Sequence, residues 1–172
     1  MQKDFSYTLK IDDLKQTEQN YHIQADDENL KFLKDILQVE QVHSFVADIS
    51  LKLNRKLHRL DIHGQVNAKL MVKSVISLEN FEKTYIAPFS YWYDTNLTYQ
   101  DLRDMDLSIS DDAPDIIENG QIDLVQIAIE QLSLILDDYP RKEGEKFEFQ
   151  SEFDEETTKA MHPFAALKKF KK

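Results

Sequence analysis

The sequence contains no cysteine, only three glycines and only four prolines in 172 residues. Without cysteine there can be no disulfide, thiolate nucleophile, Cys-ligated zinc or iron–sulfur cluster. Three glycines leave little material for tight active-site turns, and no Gly-rich phosphate loop, nucleophile elbow or zinc-protease helix occurs. Positive charge is also scarce: 21 Lys and Arg stand against 32 Asp and Glu, a formal net charge of −11, which argues against a generic nucleic-acid binder. Long apolar runs are missing too. The greasiest stretch, Ile122 to Leu136, is broken by Asp123, Gln126, Glu130 and Gln131 and is too short to span a bilayer. Met1-Gln2-Lys3-Asp4 leads into an alternating segment and not into a secretory apolar run, so the expectation is a soluble, cytoplasmic chain with no membrane partner.

What is present suits one domain. A hydrophobic content of 41% at this length suffices for a core. We expect a single α+β domain over residues 1–150 and a charged tail over 151–172. The acidic excess is confined to the second part: residues 1–73 hold 11 Lys and Arg against 11 Asp and Glu, and residues 74–172 hold 10 against 21. Any contact with RNA must therefore be local.

Hydrophobic periodicity supplies the fold. Phe5, Tyr7, Leu9 and Ile11 alternate with polar residues and predict an opening strand. Leu30, Phe32, Leu33, Ile36 and Leu37 recur at helical spacing after Asp26-Asp27-Glu28, predicting a helix over Asp27–Gln38. Phe45 to Leu53 and Leu60 to Val72 alternate strictly, as two antiparallel strands joined around Asn54-Arg55-Lys56-Leu57. A third strand pattern runs through Phe81, Lys83 and Tyr85, is interrupted at Pro88, and resumes at Phe89, Tyr91 and Tyr93, an arrangement that suits an edge or a bulge. Residues 94–118 carry eight acids and one base, Arg103, and are expected to form a long acidic loop. Asp123 with Gln126 resembles a capping box opening a helix over Ile122–Leu136, whose wide apolar stripe should make it the main lid on the sheet. The predicted architecture is a central antiparallel meander packed against two main helices.

Few residue patterns carry chemistry. Between Lys52 and Lys73, six bases (Lys52, Arg55, Lys56, Arg59, Lys69 and Lys73) face one acid, Asp61, and three of them share the outward parity of their strand. Such a converging positive surface is what phosphate contact needs. An ordinary charged strand face that deters sheet aggregation accounts for the same pattern. Tyr91, Trp92 and Tyr93 could stack on bases, although core packing is the commoner use of large aromatics. Asp101, Asp104, Asp106, Asp111, Asp112 and Asp115 lack calcium-loop spacing and read as a solvated linker. His58 and His63, five positions apart, would point to opposite faces of a strand, so neither a metal site nor a cofactor is expected. His63 with Asp61 is the single enzyme-like pair, with no nucleophile placed beside it, and the expectation is a non-enzyme. Lys168, Lys169, Lys171 and Lys172 form a second basic cluster in the tail.

Four segments in order resemble the YceD family of large ribosomal RNA subunit accumulation proteins, particularly its alphaproteobacterial branch. Ser74-Val75-Ile76-Ser77-Leu78-Glu79 is similar to a Cys-Val-Val-Thr-Leu-Glu segment followed by an aromatic strand with the Pro88-Phe89 step. Gly120-Gln121-Ile122-Asp123-Leu124 is similar to Gly-x-Ile-Asp-Leu. Asp137-Asp138-Tyr139-Pro140-Arg141-Lys142 resembles Asp-Pro-Tyr-Pro-Arg-Lys, and Pro163-Phe164-Ala165-Ala166-Leu167 resembles Pro-Phe-Ala-x-Leu. Where many members have Cys-x-x-Cys, this chain has Ser74 and Ser77, so thiol chemistry does not carry over. The resemblance implies a non-enzymatic factor supporting synthesis, processing or stability of 23S ribosomal RNA and large-subunit assembly. Its implied partners are precursor 23S rRNA or an assembly intermediate, and the acidic loop could itself meet a basic ribosomal protein or fold back over the basic strands. The alternative is a protein–protein adaptor without direct RNA contact, docking through the acidic half.

Overall fold

The computed structural model describes residues 5–104 and 115–146. Of these, residues 5–104 and 115–142 belong to one compact unit.

The core is a five-stranded sheet in the order β2 (Gln19–Gln24), β3 (Gln41–Asn54), β4 (Arg59–Lys73), β5 (Asn80–Asp94) and β6 (Asp115–Ile116). Strands β2 to β5 are antiparallel neighbours, and the two-residue β6 runs parallel to β5 at Tyr93 and Asp94. A separate two-stranded ribbon joins β1 (Thr8–Lys10) to β7 (Gln121–Asp123). Helix α1 (Asp27–Leu37) connects β2 to β3, and helix α3 (Leu124–Ser133) follows β7. The α+β class and the β3–β4–β5 meander are those the sequence predicts.

The alternation has a direct structural reason. Phe45, Ala47, Ile49, Leu51 and Leu53 of β3 and Leu60, Ile62, Val66, Ala68, Leu70 and Val72 of β4 are all buried on one face. Leu33 and Leu37 of α1, and Leu124, Val125, Ile127, Ala128 and Leu132 of α3, join them in a single core. Gly64 interrupts the apolar row because there is no room: a Cβ there would lie 2.5 Å from Cζ of Phe89 and 2.8 Å from the Asp48 carbonyl oxygen. The cross-strand partner Phe89 thus takes the place of a side chain at Gly64.

Several local expectations are corrected. The opening strand is only Thr8–Lys10, because Ile11–Asp13 turns into a short 3-10 segment. Strand β2 has no counterpart in the predicted elements, since Tyr21 and Ile23 alone offer too short an alternation. β5 is not interrupted: its pairing with β4 runs through Gln65–Pro88 without a register shift. Pro88 is tolerated because, among the described residues, only Tyr93 and Asp94 of β5 have a partner on the other side, so its missing N–H faces an open edge. The predicted acidic loop contains helix α2 (Tyr99–Asp104) and β6, while 105–114 lie outside the described residues.

Helix ends follow capping chemistry. Asp26 caps α1 through Asn29 N–H at 2.9 Å, and Gln38, predicted as the last helical residue, ends the helix in the left-handed region at φ 53°. At α3 the predicted box is only half formed. Asp123 accepts from Val125 and Gln126 N–H, but the Gln126 side chain reaches forward to Glu130 instead of back. The reciprocal arrangement forms at α2, where Thr98 N–H donates to Asp101 and Asp101 N–H donates to the Thr98 hydroxyl. Helix α3 stops at Ser133, short of the predicted Leu136, leaving Leu134 and Ile135 exposed.

Candidate functional site

Two regions hold the residues singled out by sequence: the basic run on β3 and β4, and the family-like segments.

The basic run does not assemble into one positive surface. On the outward sheet face Arg59 bonds Asp61 (Nε to Oδ1 2.7 Å) and lies over the Trp92 ring, 4.7 Å from its centroid. Lys69 pairs with Glu82 at 2.7 Å across the β4–β5 ladder, and His43, beside the β3 irregularity, approaches the other oxygen of Glu82 at 3.4 Å. The lysine holds the Glu82 carboxyl below its ordinary range by a direct hydrogen bond. Arg55, itself exposed, donates to the carbonyls of Asp12 and Leu14 at 2.9 and 3.1 Å, strapping the segment before β2 to the hairpin. Among the described residues, Lys52, Lys56 and Lys73 make no ion pair. Lys52 and Lys56 project at the β3–β4 hairpin end, and Lys73 lies at the opposite end of β4. Asp61 is the run's own acid, whereas Glu82 comes from the neighbouring strand β5, which the linear run of bases could not show.

The same face settles the remaining pairs. His58 sits in the hairpin turn at φ 50° and is not on a strand, so the parity expected of it with His63 does not apply. His63 bonds Ser90 (Nδ1 to Oγ 2.8 Å), and Asp61 is held by Arg59, so the two do not pair with each other. His22 bonds Asp48 at 2.6 Å on the adjoining strands. Tyr91 and Tyr93 pack on the inner face with ring centroids 5.5 Å apart, whereas Trp92 is on the outer one. Burial pushes the hydroxyls of both tyrosines above the ordinary range, as expected of core residues.

The family-like segments meet one another. The β4–β5 turn, Ser74–Glu79, is wired around Ser74, which is fully buried and whose hydroxyl accepts the N–H groups of Ile76 and Ser77 at 3.1 and 3.3 Å. Backbone bonds from Ser74 to Glu79 and from Leu78 to Ser74 close the turn, with Leu78 at φ 60°. Val75 N–H donates to the Pro140 carbonyl at 2.9 Å, and Lys142 bonds the Glu79 carboxylate. Asp137 accepts from Lys83 at 2.6 Å and from the Tyr85 hydroxyl at 2.8 Å, bonds that hold its carboxyl below the ordinary range. Thus 137–142 is strapped alongside 74–79, with Tyr139 and Arg141 exposed. In the third segment, Gly120 turns at φ 65°, Ile122 and Leu124 enter the core, and Asp123 caps α3. The fourth, with Pro163, Phe164, Ala165 and Leu167, and the lysine cluster beyond it lie outside the described residues, as do Asp106, Asp111 and Asp112.

The model of one protein family, "Large ribosomal RNA subunit accumulation protein YceD", matches residues 62–171. That span covers well over half of the chain, which therefore belongs to the YceD family, as the four segments suggested. No curated protein and no solved structure matches the chain. The matched span contains all four segments, whereas Lys52, Arg55, Lys56 and Arg59 precede it. The family description ties the chain to accumulation of large-subunit ribosomal RNA. No helix among the described residues is long and apolar enough to cross a membrane.

Proposed function

We propose that the chain is a non-enzymatic, cytoplasmic factor that supports synthesis, processing or stability of 23S rRNA during large-subunit assembly. Its contact with precursor 23S rRNA, or with an assembly intermediate containing it, is made by the β3–β4 hairpin end. The observation that carries this reading is that Lys52 and Lys56 project there without ion-pair partners among the described residues, while Arg55 fixes the hairpin from behind. A turn presenting two ammonium groups outside any ion pair among the described residues suits phosphate contact, which positions a protein without reading sequence. The compensated sheet face favours a second reading, an adaptor that meets a basic ribosomal protein and never touches RNA.

The two are separated by measuring affinity for precursor 23S rRNA at several salt concentrations. Each phosphate contact on a single strand releases about 0.7 counterion, so Lys52→Glu with Lys56→Glu should reduce the slope of log K against log salt by roughly 1.4. Unchanged affinity and slope in a normally folded double variant would remove the hairpin from the mechanism. Retention of ribosomal proteins after ribonuclease treatment would then favour the adaptor.

A further inference from the structure

The β4–β5 turn carries an oddity. Leu78 adopts φ 60°, a region unfavourable for a branched side chain, yet the side chain is 66% exposed. The strain has no return in packing, and such strain concentrates where a chain clamps a ligand. Leu78 is not isolated. Val75 on the same turn and Leu134, Ile135 and Tyr139 on the strapped segment and the turn before it are also exposed. The wiring at Ser74, the Val75–Pro140 bond and the Glu79–Lys142 pair hold Leu78, Val75 and Tyr139 on a fixed backbone.

Beside them lies a cavity of about 420 Å³ with an apolar lining that includes Leu37, Val72 and Leu136. Its lining also includes three acidic residues, Glu40, Asp137 and Asp138, against one basic residue, Lys73. Asp137 is already committed to Lys83 and Tyr85, which leaves Glu40 and Asp138 for a ligand.

We propose that this end of the sheet is a docking surface for a Lys/Arg-rich protein segment. An aliphatic or aromatic side chain of the partner rests on Leu78, Val75 and Tyr139. A neighbouring basic side chain enters the cavity, its stem along Leu37 and Val72 and its head at Glu40 and Asp138. Charge selects the occupant. RNA is disfavoured because its phosphates would meet the acidic residues Glu40 and Asp138. A second copy of this chain is disfavoured because both would carry a net charge of −11. An apolar anchor ringed by matched charge is the usual make-up of a specific protein contact.

The test uses the full chain with a photo-crosslinking residue at Leu78, incubated separately with RNA-free large-subunit ribosomal proteins and with precursor 23S rRNA. The choice of probe rests on the function proposed above. The expected result is a crosslink to a Lys/Arg-rich ribosomal protein. Affinity for that protein should fall about tenfold or more with either Leu78→Gly or Asp138→Lys. Leu78→Gly should melt no lower than the parent, since glycine accepts the turn conformation without strain. Crosslinking only to RNA or to a second copy, no crosslink, or a crosslink whose affinity neither variant changes would overturn the proposal. The Lys52→Glu, Lys56→Glu double variant serves as the control: it should lose RNA affinity and keep the protein crosslink. Failure at the hairpin and failure at the turn are thereby read separately.

Discussion

The Asp123 carboxylate accepts the backbone N–H of Tyr7 at 3.0 Å, across 116 positions of sequence, with the same oxygen that caps α3. Its other oxygen takes the Ser6 hydroxyl at 2.5 Å. One side chain therefore starts the main helix and anchors the β1–β7 ribbon to it, and the family-like Gly-x-Ile-Asp-Leu segment has a structural role at this residue.

Replacing Asp123 with Ala should accordingly cost more than an ordinary cap, on the order of 2 kcal/mol or above. The chain before β2 should become sensitive to protease. Thermal melting and limited proteolysis of the same sample check both, and a loss confined to a few tenths of a kcal/mol would show that the ribbon is held by other contacts.

Two carboxylates make stability pH-dependent. Burial pushes Asp123 up, but bonds from Ser6, Tyr7, Gln126 and Val125 outweigh it and leave the group below its ordinary value. Asp137 is lowered by the Lys83 and Tyr85 bonds. A carboxyl with a depressed folded pKa contributes stability above its unfolded value, about 3.9, and loses it as pH falls through the folded value. The stability gap between the parent and Asp137→Asn should thus be full at neutral pH and close below about pH 4. A gap independent of pH would mean that the ionised form is not what Lys83 and Tyr85 stabilise.

Gly64→Ala should destabilise the sheet by about 1–3 kcal/mol, because the added methyl must displace the Phe89 ring and press on the Asp48 carbonyl. Phe89→Leu in the same chain should recover part of the loss, and equal melting of Gly64→Ala and parent would contradict the close approach.

Leu132→Ala removes a fully buried side chain from the last turn of α3 and should cost roughly 2–4 kcal/mol. Urea titration reads this as a lower midpoint at unchanged slope.

Arg55 and Lys56 are adjacent in sequence and should behave differently. Arg55→Glu withdraws two donors from the carbonyls of Asp12 and Leu14 and should lower the melting temperature by several degrees, whereas Lys56→Glu should leave melting unchanged. A charge-reversal series that includes Arg55 therefore confounds folding with binding, and Lys52 and Lys56 are the cleaner pair.

Strict alternation determined β3, β4 and most of β5 because each buries one face of a long strand, a pattern local enough to read along the chain. The apolar stripes of α1 and α3 and the Asp caps were equally local. The partners of charged groups were not. Glu82 and Asp137 lie on other segments, so the pairing of Lys69 and Lys83 depends on strand register and on how the chain after α3 returns to the β4–β5 turn. Arg55 reads as a surface base until folding sets two free carbonyls beside it. The exposed, strained Leu78 beside Val75 and Tyr139 is likewise a product of tertiary structure. Hydrophobic period is a property of consecutive residues and survives in the sequence, whereas charge compensation, backbone strain and apolar patches depend on which distant segments meet.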